Sequence, residues 1–490
     1  MTVTRVEARA TGIELRPDPG RVLAKPFIPG IEDVGPTGSR AGPVIDRIMR
    51  LDEREVQRTL DDVLQRFAHR HRGILEILAA QATRVLPLVS PELVVSAERR
   101  LLLGAYFTHE YAIEGAALAN PSMVPHPVQG DDDSLRFVMS VRCIGEGHRS
   151  AIGFRSGTVD AQGVVTVEEP SRYVCSAPGE PGTHSRRVFH SRLDHLGHDF
   201  DEVSQLMGML PPMFTDAELN DVLAALMVET PRVSPDLSSH ALDLSHWSYR
   251  AEFPQETDLS ERVLWPHAPP EYHGMEDARF VRFVDDDGSV TYLGTYTAFD
   301  RNVISLQLLE TSDFRRFSSS PIAGPVATGK GLALFPRRIG GHYAALTRAD
   351  RETNGLALSD DLRHWTTAEQ LQVPQEPWEL VQLGNCGSPI ETEHGWIVLT
   401  HGVGPMRTYC LGALLLDLDD PRRVLGRTRT PIVEPDAERR EGYVPNVVYS
   451  CGGLVHQGTL VIPFGIGDQR IGIATMPVSE LVGAMLHAGP

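Results

Sequence analysis

Short apolar runs with the two-residue period of β-strands recur along most of the chain. Five of them share one plan, in which the run ends in small or polar residues and a second strand-like run follows. The five runs cover residues 135–143, 290–298, 342–349, 395–403 and 459–467, and their partners cover 151–157, 303–309, 355–359, 411–418 and 471–476. After the first interval the units lie roughly 50–65 residues apart, as β-propeller blades do. The pattern predicts an all-β fold and favours a five-bladed β-propeller over an ordinary β-sandwich.

The pattern of apolar positions changes in two places. Between residues 46 and 85, apolar side chains such as Val56, Leu60 and Val63 recur at helical spacing. Residues 170–250 are too long for an ordinary connection, and 214–227 again has helical spacing. We therefore predict an N-terminal extended and helical region at 1–110 and a propeller catalytic domain at 111–490. A helical rim insertion at 170–250 would separate the first two blades.

Polar residues follow the predicted inner strands at equivalent places, where the strands of a propeller converge on a central pocket. They are Arg142, Thr297 with the Asp300-Arg301-Asn302 segment, Arg348, His401 and Asp468. Each one alone is as well explained as a solvated loop residue, but together they predict a pocket. A further candidate is the Gly-Met-Glu-Asp-Ala-Arg turn at 274–279, where two carboxylates adjoin a guanidinium just before a strand.

Composition narrows the function classes. The 490 residues contain 46 basic and 65 acidic side chains, for a net charge of −19, which argues against a nucleic-acid or anionic-membrane surface. Five cysteines without a Cys-x-x-Cys pair are expected to be reduced. The start of the sequence lacks the apolar core of a signal peptide, so we expect a cytoplasmic protein. His184, His190, His195 and His198 match no metal-ligand spacing.

Several ordered motifs resemble glycoside hydrolase family 130, which comprises inverting β-mannoside phosphorylases and related β-1,2-mannosidases on five-bladed propellers. The motifs are Gly-Met-Glu-Asp-Ala-Arg at 274–279, Gly-Asn-Cys-Gly-Ser-Pro-Ile at 384–390, Leu-Leu-Leu-Asp-Leu-Asp-Asp-Pro at 414–421, Pro-Ile-Val-Glu-Pro at 431–435, Gly-Tyr-Val-Pro-Asn-Val-Val at 442–448, and the segment 465–476. The resemblance extends from about Asn120 to the C-terminus, interrupted by the insertion. It leaves the N-terminal region without an assigned role.

The resemblance implies a role for individual residues. Asp277 would be the general acid, passing its proton through a sugar hydroxyl, although Ala278 stands where the family usually has proline. The phosphate-binding set would be Arg301, Asn302 and His401, with Lys330 and Arg338 as further cations near predicted blade ends. The residues implied in binding the mannosyl unit or lining its pocket are Asn120, Ser122, Arg142, Glu276, Tyr443, Asn446 and Asp468. Glu276 would also help to keep Asp277 protonated, since adjacent carboxyls resist double ionisation.

We therefore predict phosphorolysis of a β-1,2- or β-1,4-mannoside to α-mannose 1-phosphate and a shortened acceptor. The expected partners are a mannosyl oligosaccharide and inorganic phosphate as co-substrate, without metal or organic cofactor, nucleic acid or membrane, and a homo-oligomer is left open. One alternative is an inverting β-1,2-mannosidase, for which Glu379 or Glu391 would supply the base. Another is a non-catalytic carbohydrate-binding propeller, which would not need an acid and anion-binding groups together.

Overall fold

The structure is a computed structural model that describes residues 5–29, 40–89, 94–229, 234–300, 303–437 and 439–490. Its contacts divide the chain into two compact units. The larger unit contains residues 1–17, 116–170 and 176–490, and the smaller unit contains residues 18–115 and 171–175. Residues 1–17 thus group with the larger unit and not with the predicted N-terminal region, because the strand Arg9–Leu15 pairs with the last strand of the chain.

The regular elements are numbered here in chain order. The strands are β1 (Arg9–Leu15), β2 (Val22–Pro26), β3 (Thr108–Ala112), β4 (Ala117–Pro125), β5 (Leu135–Ile144), β6 (Ser150–Val159), β7 (Val165–Val167), β8 (Cys175–Ser176), β9 (Gly179–Pro181), β10 (His184–Ser185), β11 (Met213–Phe214), β12 (Tyr249–Glu252), β13 (Arg262–Leu264), β14 (Gly274–Val284), β15 (Val290–Asp300), β16 (Val303–Thr311), β17 (Arg316–Pro321), β18 (Ala333–Leu334), β19 (Tyr343–Thr347), β20 (Asn354–Ser359), β21 (Thr367–Gln372), β22 (Gln382–Asn385), β23 (Ile390–Thr392), β24 (Gly395–Val403), β25 (Tyr409–Leu416), β26 (Val424–Arg427), β27 (Val448–Tyr449), β28 (Leu454–His456), β29 (Thr459–Ile466) and β30 (Arg470–Pro477). The α-helices are α1 (Ala41–Met49), α2 (Glu53–Phe67), α3 (Ile74–Val85), α4 (Ala97–Tyr106), α5 (Arg186–His195), α6 (Phe200–Met209), α7 (Asp216–Glu229), α8 (Pro235–Ser245) and α9 (Val478–Ala488).

The smaller unit packs helices α1 to α4 with the hairpin β2–β3, and the helical spacing seen before residue 85 is confirmed. Helix α2 begins with a capping box, in which the Asp52 carboxylate accepts from the Glu55 amide and Glu55 reaches back to the Asp52 amide. Helix α4 contacts α3 closely at Gly104, where an added Cβ would lie 1.9 Å from the Leu78 carbonyl oxygen. A side chain at this position would therefore force the two helices apart.

The larger unit is built mainly of antiparallel strands. Within the described residues, five four-stranded arrangements recur along the chain, with the strand orders β4-β5-β6-β7, β14-β15-β16-β17, β18-β19-β20-β21, β22-β24-β25-β26 and β27-β29-β30-β1. The five predicted strand pairs are confirmed as the hairpins β5–β6, β15–β16, β19–β20, β24–β25 and β29–β30. The first two arrangements are joined into one larger sheet by the parallel pairing of Gly274 with Ser150.

The central strands of the larger unit, such as β24 and β25, are buried on both faces, which explains why their sequences contain long apolar runs. All nine residues of β24 are buried. Ile397 and Leu399 pack in one apolar cluster, whereas Trp396 and Val398 pack in a different cluster with strands β19 and β20. Because successive side chains of a strand point to opposite faces, each sheet lies between two apolar layers.

The predicted insertion at 170–250 contains helices α5 to α8 around its own apolar core, which includes Phe189, Leu206 and Leu237. The predicted helix at 214–227 is observed as α7. The histidines of this segment have separate partners, since His184 lies 2.6 Å from Asp216 and His190 lies 2.9 Å from Asp194. Among the described residues, no helix is long and apolar enough to cross a membrane.

Candidate active site

A polar cavity of about 380 Å³ opens in the larger unit, and its volume lies within the range of small-molecule binding sites. Seven residues predicted from the sequence line it: Asn120, Arg142, Asp277, Lys330, Arg348, His401 and Asp468. The other lining residues are Ile304, Gly329, Arg351, Gln382, Arg407, Tyr409, Val447 and Tyr449. The structure therefore brings together side chains that are up to 348 positions apart in the chain, from Asn120 to Asp468.

Two of these side chains are set by β-bulges. The register of β4 against β5 shifts between Ala119 and Ser122, and that of β14 against β15 shifts between Glu276 and Arg279. Asn120 and Asp277 occupy the bulges with left-handed φ values of 47° and 53°. Asn and Asp tolerate this region better than most side chains, and bulges of this kind re-aim a side chain beside a functional site.

Asp468 is positioned in a similar way by the tight turn between β29 and β30, with a φ of 47°. Burial raises the pKa of this carboxyl to about 6, with Arg142 lowering it and Asp277 raising it. Asp468 is thus the carboxyl of the cavity that most readily carries a proton. It can donate or accept a hydrogen bond to a sugar hydroxyl, depending on pH.

Asp277 lies among four cations. Arg142 Nη1 and Arg279 Nη2 are each 3.9 Å from its carboxylate oxygens, and Arg279 Nη1 donates to its carbonyl oxygen at 2.8 Å. Burial raises the pKa of Asp277, but the charges of Arg279, Lys330, Arg142 and Arg348 outweigh burial, so the pKa is lowered overall. Asp277 is therefore an anion at neutral pH among these cations.

Glu276 occupies the other side of the same turn and holds two cations in place. It accepts from Arg142 Nη2 at 2.5 Å and from Lys330 Nζ at 2.5 Å, with its side chain 12% exposed. Because both of its oxygens are occupied by cations, Glu276 fixes the positions of Arg142 and Lys330 beside Asp277. This geometry differs from the predicted role of Glu276 as the group that keeps Asp277 protonated.

Arg348 and His401 lie close together in the lining of the cavity. An alanine Cβ at Gly384 would lie 2.1 Å from Arg348 Cδ and 2.8 Å from His401 Cε1, so the glycine makes room for both groups. Burial and the charges of Arg348 and Arg279 lower the pKa of His401 well below its ordinary value, which leaves the ring neutral. A neutral imidazole beside a guanidinium can donate a hydrogen bond to an anion without charge repulsion from its arginine neighbour.

Several buried polar atoms of this region have no hydrogen-bond partner within the described part of the chain. They are Asn120 Oδ1, Arg142 Nε, Thr297 Oγ1, Arg348 Nε and the His401 ring nitrogens. Buried polar atoms in folded proteins are nearly always bonded, and unpaired ones mark places where a ligand or water binds. Both hydrogen-bond donors and hydrogen-bond acceptors are therefore available among these residues, which suits ligands that carry hydroxyl groups and negative charge.

Besides Glu276, three predicted substrate residues are not part of the cavity lining. Ser122 is fully buried, and its hydroxyl accepts from the Phe280 amide at 3.1 Å, which ties β4 to β14. Tyr443 is half exposed, and its hydroxyl lies 2.9 Å from His148 Nε2. Asn446 has a φ of 62°, and its carbonyl accepts from the Tyr409 amide, so its backbone supports a residue that lines the cavity.

Three residues of the predicted phosphate site, Arg338, Arg301 and Asn302, are not among the described residues of the cavity lining. The structure does not bring Arg338 to the cavity, because Asp285 holds its guanidinium at 2.8 Å beyond the opposite end of β14. Asp285 and Asp277 are eight positions apart in the sequence, which corresponds to a distance of roughly 25 Å at the usual rise of a strand. Arg301 and Asn302 lie outside the described residues.

The two glutamates considered as a hydrolytic base are also placed away from the cavity lining. Glu379 is buried, accepts from two backbone amides and pairs with Arg427 at 3.2 Å. Glu391 pairs with Arg337 on the surface at 2.9 Å. Among the described lining residues, the carboxylates are Asp277 and Asp468.

Arg348 is predicted to lie in the pocket, but its sequence context gives it no individual function. The lining residues that the sequence analysis missed include Gln382, Tyr409 and Tyr449, which no motif marks. The clearest available clue was the glycine at 384, since a glycine inside a strand often marks a close approach by another group.

The fold and the site together define a class of protein. It is a mainly β enzyme with a carboxylic acid and a cluster of cations in one polar cavity. A family model described as beta-1,4-mannooligosaccharide phosphorylase matches residues 242–487, half of the chain. The 1,2-beta-oligomannan phosphorylase of Thermoanaerobacter sp. is 33% identical over 227 residues, which cover 46% of this chain and 75% of that protein. The chain therefore belongs to glycoside hydrolase family 130 and is an enzyme of that family.

A further relative and a solved structure are also similar to the chain. A beta-1,2-mannobiose phosphorylase of Listeria innocua is 33% identical over 227 residues, covering 45% of this chain and 62% of that protein. The solved structure of the Listeria innocua beta-1,2-mannobiose phosphorylase in complex with beta-1,2-mannobiose covers 76% of this chain and 93% of its own, at 22% identity and a TM-score of 0.44.

Proposed function

We propose that the protein is an inverting phosphorylase that cleaves a β-mannoside with inorganic phosphate, giving α-mannose 1-phosphate and a shortened acceptor. The observation that carries this proposal is the placement of the Asp277 carboxyl in the same cavity as Arg348 and His401. A glycoside phosphorylase needs one proton donor and one anion site, and both kinds of group are present. The names of the relatives, which are phosphorylases of β-mannosides, support the same chemistry.

In the proposed reaction Asp277 supplies the proton. The bond between the anomeric carbon and the leaving oxygen breaks, and the proton of Asp277 passes through a sugar hydroxyl to that oxygen, as the family resemblance implies. A phosphate oxygen forms the new bond on the opposite face of the sugar, which inverts the anomeric configuration. Asp277 is then an anion and regains its proton from solvent or from the product phosphate.

Phosphate binding also prepares the acid. In the ligand-free cavity the surrounding cations keep the pKa of Asp277 below its ordinary value. A phosphate dianion beside Arg348 would offset their charge, and the closeness of a second anion raises the pKa of a carboxyl. We infer that Asp277 becomes protonated only when phosphate is bound. The acid therefore carries its proton at the time when the nucleophile is in place.

The proposed sugar contacts come from other residues of the cavity lining. Asn120, Asp468 and Arg142 offer acceptors and donors to neighbouring hydroxyls of a mannosyl unit. Glu276 acts through Arg142 and Lys330, which it holds by short ion pairs. Hydrolysis would require a base to activate water, and neither Glu379 nor Glu391, the two candidates for that base, lines the cavity. The clustered cations of the lining and the names of the relatives favour phosphorolysis.

The architecture that would present these groups is a five-bladed β-propeller. The five four-stranded antiparallel arrangements would be its blades. The pairing of β1 with β30 would close the ring, because the start of the chain then supplies the outer strand of the last blade. Asn120 on β4 and Asp277 on β14 occupy corresponding bulges of the first two arrangements, as repeated blades would place them.

The proposal is tested by incubating the protein with β-1,2-mannobiose and β-1,4-mannobiose, each with and without phosphate, and separating the products. We expect mannose 1-phosphate in the presence of phosphate and no cleavage in its absence. Release of free mannose at the same rate without phosphate would show a mannosidase. No turnover of any β-mannoside, with sugar binding retained, would show a binding module.

A further inference from the structure

A second charged cleft, of about 540 Å³, lies in the helical insertion of the larger unit. We call it the basic cleft, formed by Arg186, Arg187 and His190 on the first turns of α5 together with His364, which precedes β21. Ser191, Asp194 and Met207 complete its lining. None of these residues lines the polar cavity, so the basic cleft is a separate feature.

The charge of the basic cleft is unusual in a chain with a net charge of −19. Asp194 is the carboxylate in the described lining, and it is already paired with His190 at 2.9 Å. Arg186 has one guanidinium nitrogen bound to the Leu210 carbonyl, and Arg187 has no ion-pair partner among the described residues. Two guanidinium charges are therefore left without a counter-ion.

His364 adds a third group that is ready for an anion. Its Nδ1 atom is buried and has no hydrogen-bond partner among the residues described. Burial, together with the charges of Arg187 and His190, lowers the pKa of His364. A bound anion would offset the charges of Arg187 and His190 beside this ring.

Two walls of the basic cleft, helix α5 and the segment around His364, are bonded to the same stretch of chain at residues 322–323. Arg192, on α5, donates to the carbonyl of Ile322 at 2.6 Å and to the Ser305 hydroxyl at 3.0 Å. Ala323, the next residue, pairs in parallel with His364. Because α5 and His364 are both anchored at 322–323, their relative position is fixed before a ligand binds, which favours affinity.

We propose that the basic cleft binds a phosphorylated sugar. The planar guanidinium groups of Arg186 and Arg187 match the geometry of a phosphate monoester. The cleft is far larger than a phosphate ion, and Ser191 and Asp194 offer hydrogen-bonding groups for hydroxyls at its edge. A ligand with both an anionic head and hydroxyl groups fits this lining better than inorganic phosphate does.

The test is calorimetric titration of the full chain with glucose 6-phosphate, inorganic phosphate and glucose, combined with hydrogen exchange of peptides that cover α5. We expect glucose 6-phosphate to bind and to slow exchange at the start of α5. The double variant Arg187→Ala, His364→Gln should weaken this binding about tenfold or more, since it removes charge-assisted hydrogen bonds. Arg54→Ala, which removes an exposed arginine of α2, is the matched control and should bind as wild type does.

The cavity and the cleft are distinguished by Arg348→Ala, which alters only the polar cavity. Binding of glucose 6-phosphate and protection of α5 should persist in this variant, whether or not the enzymatic proposal holds. Loss of α5 protection in Arg348→Ala, or unchanged binding in a folded Arg187→Ala, His364→Gln protein, would overturn the inference. Equal affinity for inorganic phosphate and glucose 6-phosphate would contradict the assignment to a sugar ligand.

Discussion

The substitution Gly384→Ala tests the anion side of the polar cavity without removing any charged group. The added Cβ would lie 2.1 Å from Arg348 Cδ and 2.3 Å from Arg348 Nε. Non-bonded carbon atoms are normally about 3.5–4.0 Å apart, so the arginine side chain must move by roughly 1.5 Å. Gly384 does not have a left-handed φ, so the backbone itself accepts alanine and the effect is confined to its neighbours.

A movement of this size breaks a hydrogen bond between Arg348 and a bound phosphate, because such bonds need about 2.7–3.2 Å. A charge-assisted hydrogen bond contributes about 1.5–3 kcal/mol, which corresponds to a change of about 10- to 150-fold in affinity. We therefore expect the KM for phosphate to rise by about one to two orders of magnitude. The KM for β-1,2-mannobiose should change by less than about threefold, because the atoms nearest to the added Cβ belong to Arg348 and His401 and not to the proposed sugar contacts.

The assay is initial-rate kinetics with each substrate varied in turn, together with a thermal melt to confirm folding. Gly483→Ala is the matched control, since an added Cβ at this position of α9 meets no atom within 4 Å. It should leave both KM values unchanged. A folded Gly384→Ala enzyme with the wild-type KM for phosphate would refute the placement of phosphate beside Arg348.

Three further predictions concern the carboxyls. Asp277→Asn should lower kcat by about 10²- to 10⁴-fold while the protein stays folded by circular dichroism, and full activity would remove Asp277 as the acid. Glu276→Gln should raise the KM for the mannoside and lower the KM for phosphate, because Arg142 and Lys330 lose their counter-charge. Initial-rate kinetics measure both KM values. A change of both values in the same direction would contradict this prediction. Asp468→Asn should stabilise the protein at pH 7.5 by about 1–3 kcal/mol while weakening mannobiose binding. The sign follows from the raised pKa of about 6, since ionising Asp468 above that pH costs folding free energy. Denaturant melts should therefore show no difference near pH 4, and an equal gain at both pH values would contradict the argument.

The hairpins of the larger unit could be predicted because their strands are buried on both faces and end in small or polar residues. Strand β24 has the bounds predicted for its run, 395–403. The bulges at Asn120 and Asp277 could not be predicted, since a bulge is defined by the register of the partner strand. The left-handed conformation that aims both side chains is therefore a property of the folded sheet.

The phosphate side shows a second limit of sequence reasoning. Lys330 and Arg338 flank the short strand β18 on opposite sides, so one reaches the cavity and the other reaches the turn at Asp285. Sequence proximity could not tell the two strand ends apart. Arg348 and His401 come from different sheets, and their meeting depends on the absence of a side chain at Gly384.

The central claim is that phosphate, and not water, attacks the mannoside. The most direct measurement is a ³¹P and ¹H nuclear magnetic resonance time course of the wild-type enzyme with β-1,2-mannobiose in phosphate buffer. The account predicts that α-mannose 1-phosphate and the released acceptor sugar appear together in equal amounts, and that both stop forming when phosphate is withdrawn. Free mannose in a two-to-one ratio to the disaccharide consumed, with no new phosphorus signal, would contradict it.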